Sequence, residues 1–214
     1  MNTKLVKRIL ATTLAATLMV APVITAGATT DSSAASSSSS TTEEAPAPEE
    51  LKDATAPVVA GGVVLKSDVG GKVLLPKTAA ISGVVLRQSS ATIKAAAGLA
   101  ANEAPFLKAY EINAKKSPAA YAAFNGAAAA AGATVLDAVN IDLGKMTAGK
   151  FSDLAAGVSV PTTIAVKNAN GRKLAVVKVL PGGATSILDD TDDNPNTVTF
   201  PVTGGLAAYA VIAY

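Results

Sequence analysis

The chain has 214 residues, half of them hydrophobic, with 4% aromatic and 16% charged residues, a net charge of +2, and no Cys, His or Trp. Without Cys there are no disulfides, thiolate nucleophiles, iron–sulfur clusters or Cys-based zinc sites. Without His, the Ser-His-Asp and Cys-His arrangements, most catalytic zinc sites and the usual general base are excluded as well.

Lys4, Lys7 and Arg8 precede an apolar stretch over 9–23 that ends near the small-residue pattern Ala26-Gly27-Ala28. This is the pattern of a secretory signal peptide over 1–28, cleaved after Ala28. Thr12, Thr13, Thr17 and Pro22 interrupt a run already shorter than the ~20 apolar residues of a spanning helix. No membrane span is therefore expected after cleavage, and the mature chain should be secreted, extracellular or associated with the cell wall. Removing three basic residues takes the charge from +2 to −1 over 29–214, where Arg87 and Arg172 are the only arginines. That is no footprint for nucleic acid.

Residues 29–55 are rich in Ser, Thr, Glu and Pro and poor in large apolar side chains. Such a segment cannot bury enough surface to offset its ordering entropy, so a disordered linker is expected, followed by one domain over 56–214. That domain has 14 basic and 10 acidic residues, opposite in sign to the linker.

Valine-rich runs at 58–65, 72–76 and 82–88, broken at Gly61-Gly62 and Gly70-Gly71, read as strands. Ser89-Ser90 before an Ala-rich run predicts a capped helix over 90–103, closed by Pro105. Over 106–114 the alternation of Phe106, Lys108, Tyr110 and Ile112 with Leu107, Ala109 and Glu111 fits a strand. Ser117-Pro118 starts a second, Ala-rich helix running to Gly132. Its small side chains would let it pack flat on a sheet.

Beyond it, 134–143, 158–166, 172–180, 196–202 and 206–214 read as strands with turns about every ten residues. Asn170-Gly171 predicts a two-residue hairpin. Pro161 and Pro201 predict edges or bulges. The fold class expected is α+β, an antiparallel, β-sandwich-like sheet covered by one or two Ala-rich helices, with a β-rich C-terminal half over 134–214.

The valine strand ending in Val158-Ser159-Val160-Pro161, the turn at Asn170-Gly171, and Thr197-Val198-Thr199-Phe200 followed by Tyr209-Ala210-Val211-Ile212 carry a resemblance. Over 134–214 the chain resembles the small β-sandwich modules near the C-termini of exported surface proteins of Gram-positive, especially clostridial, bacteria. The resemblance implies surface display or adhesion and supplies no catalytic residues. Family members often carry an aromatic pair before the closing strand, where this chain has Gly204-Gly205-Leu206.

Asp189, Asp190, Asp192, Asp193, Asn194 and Asn196 form the densest set of oxygen ligands. Asp190, Asp192 and Asn194 have the alternate spacing of a calcium loop and are the candidate Ca2+ ligands. Pro195 stands where such a loop has its turn glycine and Pro201 where it has its bidentate Glu, so a solvated loop competes with that reading. Leu75-Pro76-Lys77-Thr78-Ala79 is similar to a sortase signal, but it lacks the apolar tail and basic end such signals need and reads better as a loop. Lys108 and Lys178 are candidates for pilin-type isopeptide links. Asp68, Glu103, Glu111, Asp137, Asp142 and Asp153 are scattered acids in no recognisable motif for the carboxylate pair of a glycosidase, and aromatic sugar platforms are scarce.

The function expected is a non-catalytic secreted or envelope-associated module binding cell wall, glycan or another surface protein. The competing class is a small secreted enzyme or effector, favoured by an exposed concavity holding paired acids. A third is self-association through a free edge at 206–214.

Overall fold

The computed structural model describes residues 49–214 apart from residues 78 and 156. The expected signal peptide and residues 29–48 of the expected linker lie outside them. The elements begin with β1 (Glu49–Asp53), β2 (Val58–Ala60), β3 (Val63–Leu65), β4 (Gly70–Pro76), β5 (Ile81–Leu86), α1 (Ser90–Ala96), β6 (Glu103–Ile112) and α2 (Pro118–Ala130). They continue with β7 (Thr134–Thr147), β8 (Lys150–Asp153), β9 (Ser159–Val166), β10 (Leu174–Val179), β11 (Thr185–Asp189), β12 (Thr197–Thr203) and β13 (Gly205–Ala213).

An eight-stranded sheet runs β1-β4-β6-β7-β13-β10-β11, with β8 pairing the end of β7. A three-stranded sheet runs β12-β9-β5, and β2 pairs β3 alone. The fold is thus α+β and sandwich-like. Val139, Ile141 and Leu143 of the large sheet share one core with Ile164, Val198 and Phe200 of the small one. With so few aromatics, branched aliphatic side chains fill most of this layer, as the pleated surface favours. α1 sends Ile93 into the same core.

α2 lies on the opposite face of the large sheet, where Phe124 and Ala128 pack with Ala175, Val177, Ala210 and Ile212. Ser117-Pro118 starts it as expected, with Pro at the first position, although the Ser117 side chain makes no cap bond. The β2–β3 hairpin turns at Gly61 and Gly62, both at positive φ. It sets Ala60 and Leu65, with Val58 beside them, against Val85 and Ala165 on the outer face of the small sheet. A Cβ on Gly83 would stand 2.5 Å from the Val58 side chain, so the hairpin's seat requires glycine there.

Several sequence expectations change. Glu49–Asp53, placed in the linker by composition, is strand β1 and pairs β4 from Glu49↔Pro76 to Asp53↔Lys72. An edge strand needs one backbone partner and little core, which composition does not register. The first helix ends at Ala96, because Ala97 caps it and Gly98 turns at φ 60. Pro105 does not close it but lies inside β6, one residue beyond the β4 pairing that starts at Phe106, so its missing amide takes nothing from that ladder.

The β4–β6 pair is parallel, which makes the large sheet mixed. The chain leaves β4, passes through β5 in the other sheet and α1, and returns, the kind of crossover parallel strands need. Asn170 and Gly171 do adopt φ of 56 and 71, and Arg172 N donates to Ala169 O across the turn. Yet β9 and β10 belong to different sheets. Asn168, also at positive φ, adds the rotation that carries the chain from one sheet to the other. Residues 206–214 are no free edge, since β13 pairs β7 on one side and β10 on the other.

Pro161 and Pro201 face each other in the β9–β12 pair. Pro161 O accepts from Arg87 N, so its backbone polar groups point toward the β5 side. Pro201 then turns its absent amide to the outer edge of β12, where no strand pairs. Leu75 of the sortase-like segment is buried in the core, and Thr78 lies outside the described residues. Among the described residues no helix is long and apolar enough to cross a membrane.

One buried acid links the sheets: Asp137 Oδ2 of β7 accepts from Ile81 N of β5 at 3.2 Å. Truncating Ile141 to Ala should cost about 2–5 kcal/mol, the range for emptying a packed site. Asp137→Ala, which orphans the Ile81 amide, should cost about 1–3 kcal/mol. Urea unfolding of the mature chain measures both, and a negligible loss in Ile141→Ala would place the core elsewhere.

Candidate functional site

The acidic loop joins β11 in the large sheet to β12 in the small one. Its alternate spacing has a local cause. Asp190 Oδ1 accepts from Asp192 N at 3.1 Å, Asp192 Oδ1 from Asn194 N at 2.8 Å, and Asn194 Oδ1 from Asn196 N at 3.0 Å. Each side chain bonds the amide two residues on, so three Asx turns follow one another. The same oxygens hold the strand beside them. Thr199 N donates to Asp190 Oδ1 at 2.8 Å, Thr191 N to Thr199 O at 2.9 Å, and Thr197 Oγ1 to Asp192 Oδ1 at 2.8 Å. Thr199 Oγ1 donates to the other Asp192 oxygen.

Asp190 and Thr191 thereby occupy the outer edge of β12 as a neighbouring strand would. Asn194 Nδ2 ties the loop to Ala60 O of the hairpin at 3.4 Å. The candidate calcium ligands are brought together, but their oxygens serve amides and hydroxyls. Among the described residues no group of three His, Cys, Asp or Glu side chains is placed to hold a metal ion.

A concavity of about 430 Å³ beside this loop is lined by four acids, Asp189, Asp190, Asp192 and Asp193, and by Arg172 and Lys173. Asp190 and Asp192 are the two engaged in the turns, while Asp189 and Asp193 are exposed. Of the scattered acids, Asp68 accepts from Ser90 N at the start of α1. Glu103 pairs with Lys145 Nζ at 2.6 Å, and that ammonium, with the Ala100 amide, holds its carboxyl below the ordinary range. Lys178 donates to Thr203 Oγ1 at 2.9 Å, and Lys108 Nζ lies 3.5 Å over the Phe151 ring. Among the described residues neither candidate isopeptide lysine has an asparagine as its hydrogen-bond partner.

A second surface was not singled out in the sequence. On β6, Leu107 and Ala109 point into the core, so Phe106, Lys108 and Tyr110 point to the opposite face. The pairings carry that face across five strands. One row is Leu51, Leu74, Tyr110, Asn140 and Ala208. The next is Asp53, Lys72, Lys108, Asp142 and Leu206. At about 4.8 Å per strand the rows are roughly 19 Å long.

α2 packs on the β7, β13 and β10 part of this face, and among the described residues no helix covers the remainder. Leu51 is 64% exposed, Tyr110 40% and Leu206 48%. Three of the eight aromatic residues, Phe106, Tyr110 and Phe151, lie here. Phe151 stands edge-on to Phe106, with centroids 6.2 Å apart. Its ring lies over Gly144, where a Cβ would come within 2.3 Å of it. Residue 144 must therefore be glycine for the ring to lie flat on the strand.

Asn140 sits in the middle of the face, 7% exposed, and its Nδ2 has no hydrogen-bond partner. The carboxamide is near enough to the Tyr110 phenol to pull its pKa down without meeting it in bonding geometry; burial and the Asp142 charge push that phenol up overall. Asp142 is itself raised, by burial first and by Asp153 next, against Lys108. The alternation over 106–114 contained one strand of this face; the pairing order shows which other strands share it, and among the described residues no helix packs on its β1 and β4 part or on the 106–110 stretch of β6.

No protein-family model, curated protein or solved structure matches the chain.

Burial raises the Asp190 carboxyl above its ordinary value, against hydrogen bonds from the Thr199 and Asp192 amides. The unfolded chain then ionises this group first, so its contribution is fully present below the unfolded pKa and is lost as pH rises through the folded one. Asp190→Asn keeps an acceptor oxygen and removes the charge. It should melt no lower than wild type at pH 7, with any advantage vanishing in acid below the ordinary carboxylate pKa. Melting curves from pH 3 to 7 measure this, and a large loss at pH 7 alone would contradict it. Excess calcium should leave the wild-type melting temperature unchanged, whereas a rise that Asp190→Ala and Asp192→Ala abolish would make the loop a cation site.

Proposed function

We propose that the protein is a non-catalytic secreted or cell-envelope-associated module of the Gram-positive surface type, binding wall material through the bare half of its large sheet. The observation that carries this is the partition of that face. α2 covers one half with small side chains, while the other half leaves Leu51, Tyr110 and Leu206 in solvent. Several large apolar side chains exposed on one sheet face among charged neighbours mark a candidate interaction site. The N-terminal export pattern and the resemblance of 134–214 to surface modules support the same reading.

Fractionation of the producing cell tests it. The mature chain should be retained with the wall and released by muralytic digestion or salt. A Tyr110→Ala, Leu206→Ala double variant should shift toward the medium without a lower melting temperature. Recovery of wild type only in the medium would overturn the reading and put a secreted enzyme or effector first, with the acid-lined concavity beside β11 as the place to look.

A further inference from the structure

We infer that the bare face holds a neutral glycan, with Tyr110 and Phe106 as stacking surfaces and Asn140 and Asp142 as the groups that read its hydroxyls. The inference rests on the binding function proposed above and names its ligand class.

Four observations carry it. First, Asn140 Nδ2 is a buried donor that meets no acceptor in bonding geometry among the described residues, although the Tyr110 phenol is near enough to feel the carboxamide. Nearly every buried polar group in a native protein is satisfied, so such an atom needs an explanation. Second, Asp142, two residues along the same strand and on the same face, makes no hydrogen bond among the described residues. A carboxamide donor and a carboxylate acceptor roughly 7 Å apart along the strand suit separate hydroxyls of one glycan, which can each donate or accept.

Third, Phe106 and Tyr110 are four residues apart on β6, roughly 13 Å along the strand. Tyr110 is exposed and Phe106 half-buried, two ring surfaces on one line whose separation fits separate sugars of a chain rather than one small molecule. Phe151, held edge-on to Phe106 and capped by Lys108, fixes the far end.

Fourth, the charges in the flanking row balance. Asp53 pairs with Lys72 at 3.5 Å, and Lys108 faces Asp142 across the β6–β7 pairing. With Asp153 beside Gly144 in the next row, these rows carry two cations and three anions, too small a net charge to favour a polyanion or a polycation. An apolar peptide helix would leave Asn140 and Asp142 unpaired beneath it, at a cost that a polyol avoids. Tyr110, exposed and next to Asn140 in the row, is the side chain whose rotation admits a hydroxyl to Nδ2.

Calorimetric titration of the mature chain with soluble hexasaccharides of glucose, mannose and N-acetylglucosamine tests the inference, beside a pull-down on the insoluble wall. At least one sugar should bind saturably. Tyr110→Ala should weaken it about 3- to 10-fold, the worth of one aromatic contact, and Asp142→Ala more than about tenfold.

Asn140→Ala should weaken binding while leaving the melting temperature level or higher, because it removes an unpartnered donor; a purely structural asparagine would lower it. Wall binding without binding of any hexasaccharide would overturn the glycan inference and leave the module reading standing. Failure to bind the wall would remove the reading itself. Sugar binding untouched by Tyr110→Ala and Asp142→Ala would place the site elsewhere and overturn the assignment.

Discussion

The alternation of side chains along β7 is the constraint from which the rest of the molecule follows. β7 runs 14 residues, pairs β6 along one side, and pairs first β13 and then β8 along the other. Burying Val139, Ile141 and Leu143 against the small sheet forces Ala138, Asn140, Asp142, Gly144 and Met146 to the other face. A slip of one residue would exchange the two sets and put a carboxylate and a carboxamide into the aliphatic core. The energy that holds the sandwich together is thus the same quantity that places the polar pair on the outer face. Asp137 completes the strand's role by reaching from β7 to the Ile81 amide of the second sheet.

The edges of the small sheet are managed with local chemistry rather than further strands. β12 would present free amides and carbonyls; the acidic loop supplies Asp190 and Thr191 to meet Thr199 on both, and Pro201 removes a donor from the same edge. The aspartates that look like cation ligands in the sequence meet this edge and form the Asx turns that shape the loop. The β2–β3 hairpin, seated by Gly83, covers the outer face of the same sheet. Protection is thus concentrated on the small sheet, and the large sheet keeps open surface.

Local elements were legible in the sequence because their causes are local. The start of α2 at Ser117-Pro118, the cap of α1 by Ser89, the turn at Asn170-Gly171 and most strands follow from capping, turn chemistry and period-two patterning. Partner choice was not legible. The same turn chemistry serves a hairpin and a passage between sheets, so Asn170-Gly171 read as the first and performs the second. β4 and β6 pair in parallel across a helix and a strand of the other sheet, a contact that no neighbouring residue announces. The bare face shares that cause: Phe106, Lys108 and Tyr110 were placed on one side of a strand by alternation, but Leu51, Leu74, Asn140 and Leu206 join them only through pairing. Asp190, Asp192 and Asn194 were picked out by spacing alone, and spacing does not separate an Asx ladder from a ligand set.

The central claim is that the uncovered half of the large sheet is the working surface. Mapping backbone amide shifts of the isotope-labelled mature chain as solubilised wall material is added tests it most directly. Shifts should concentrate at 106–112, 140–144 and 206–208, with the core strand β9 unmoved. Shifts confined to the β2–β3 hairpin or to the loop over 189–197 would contradict it.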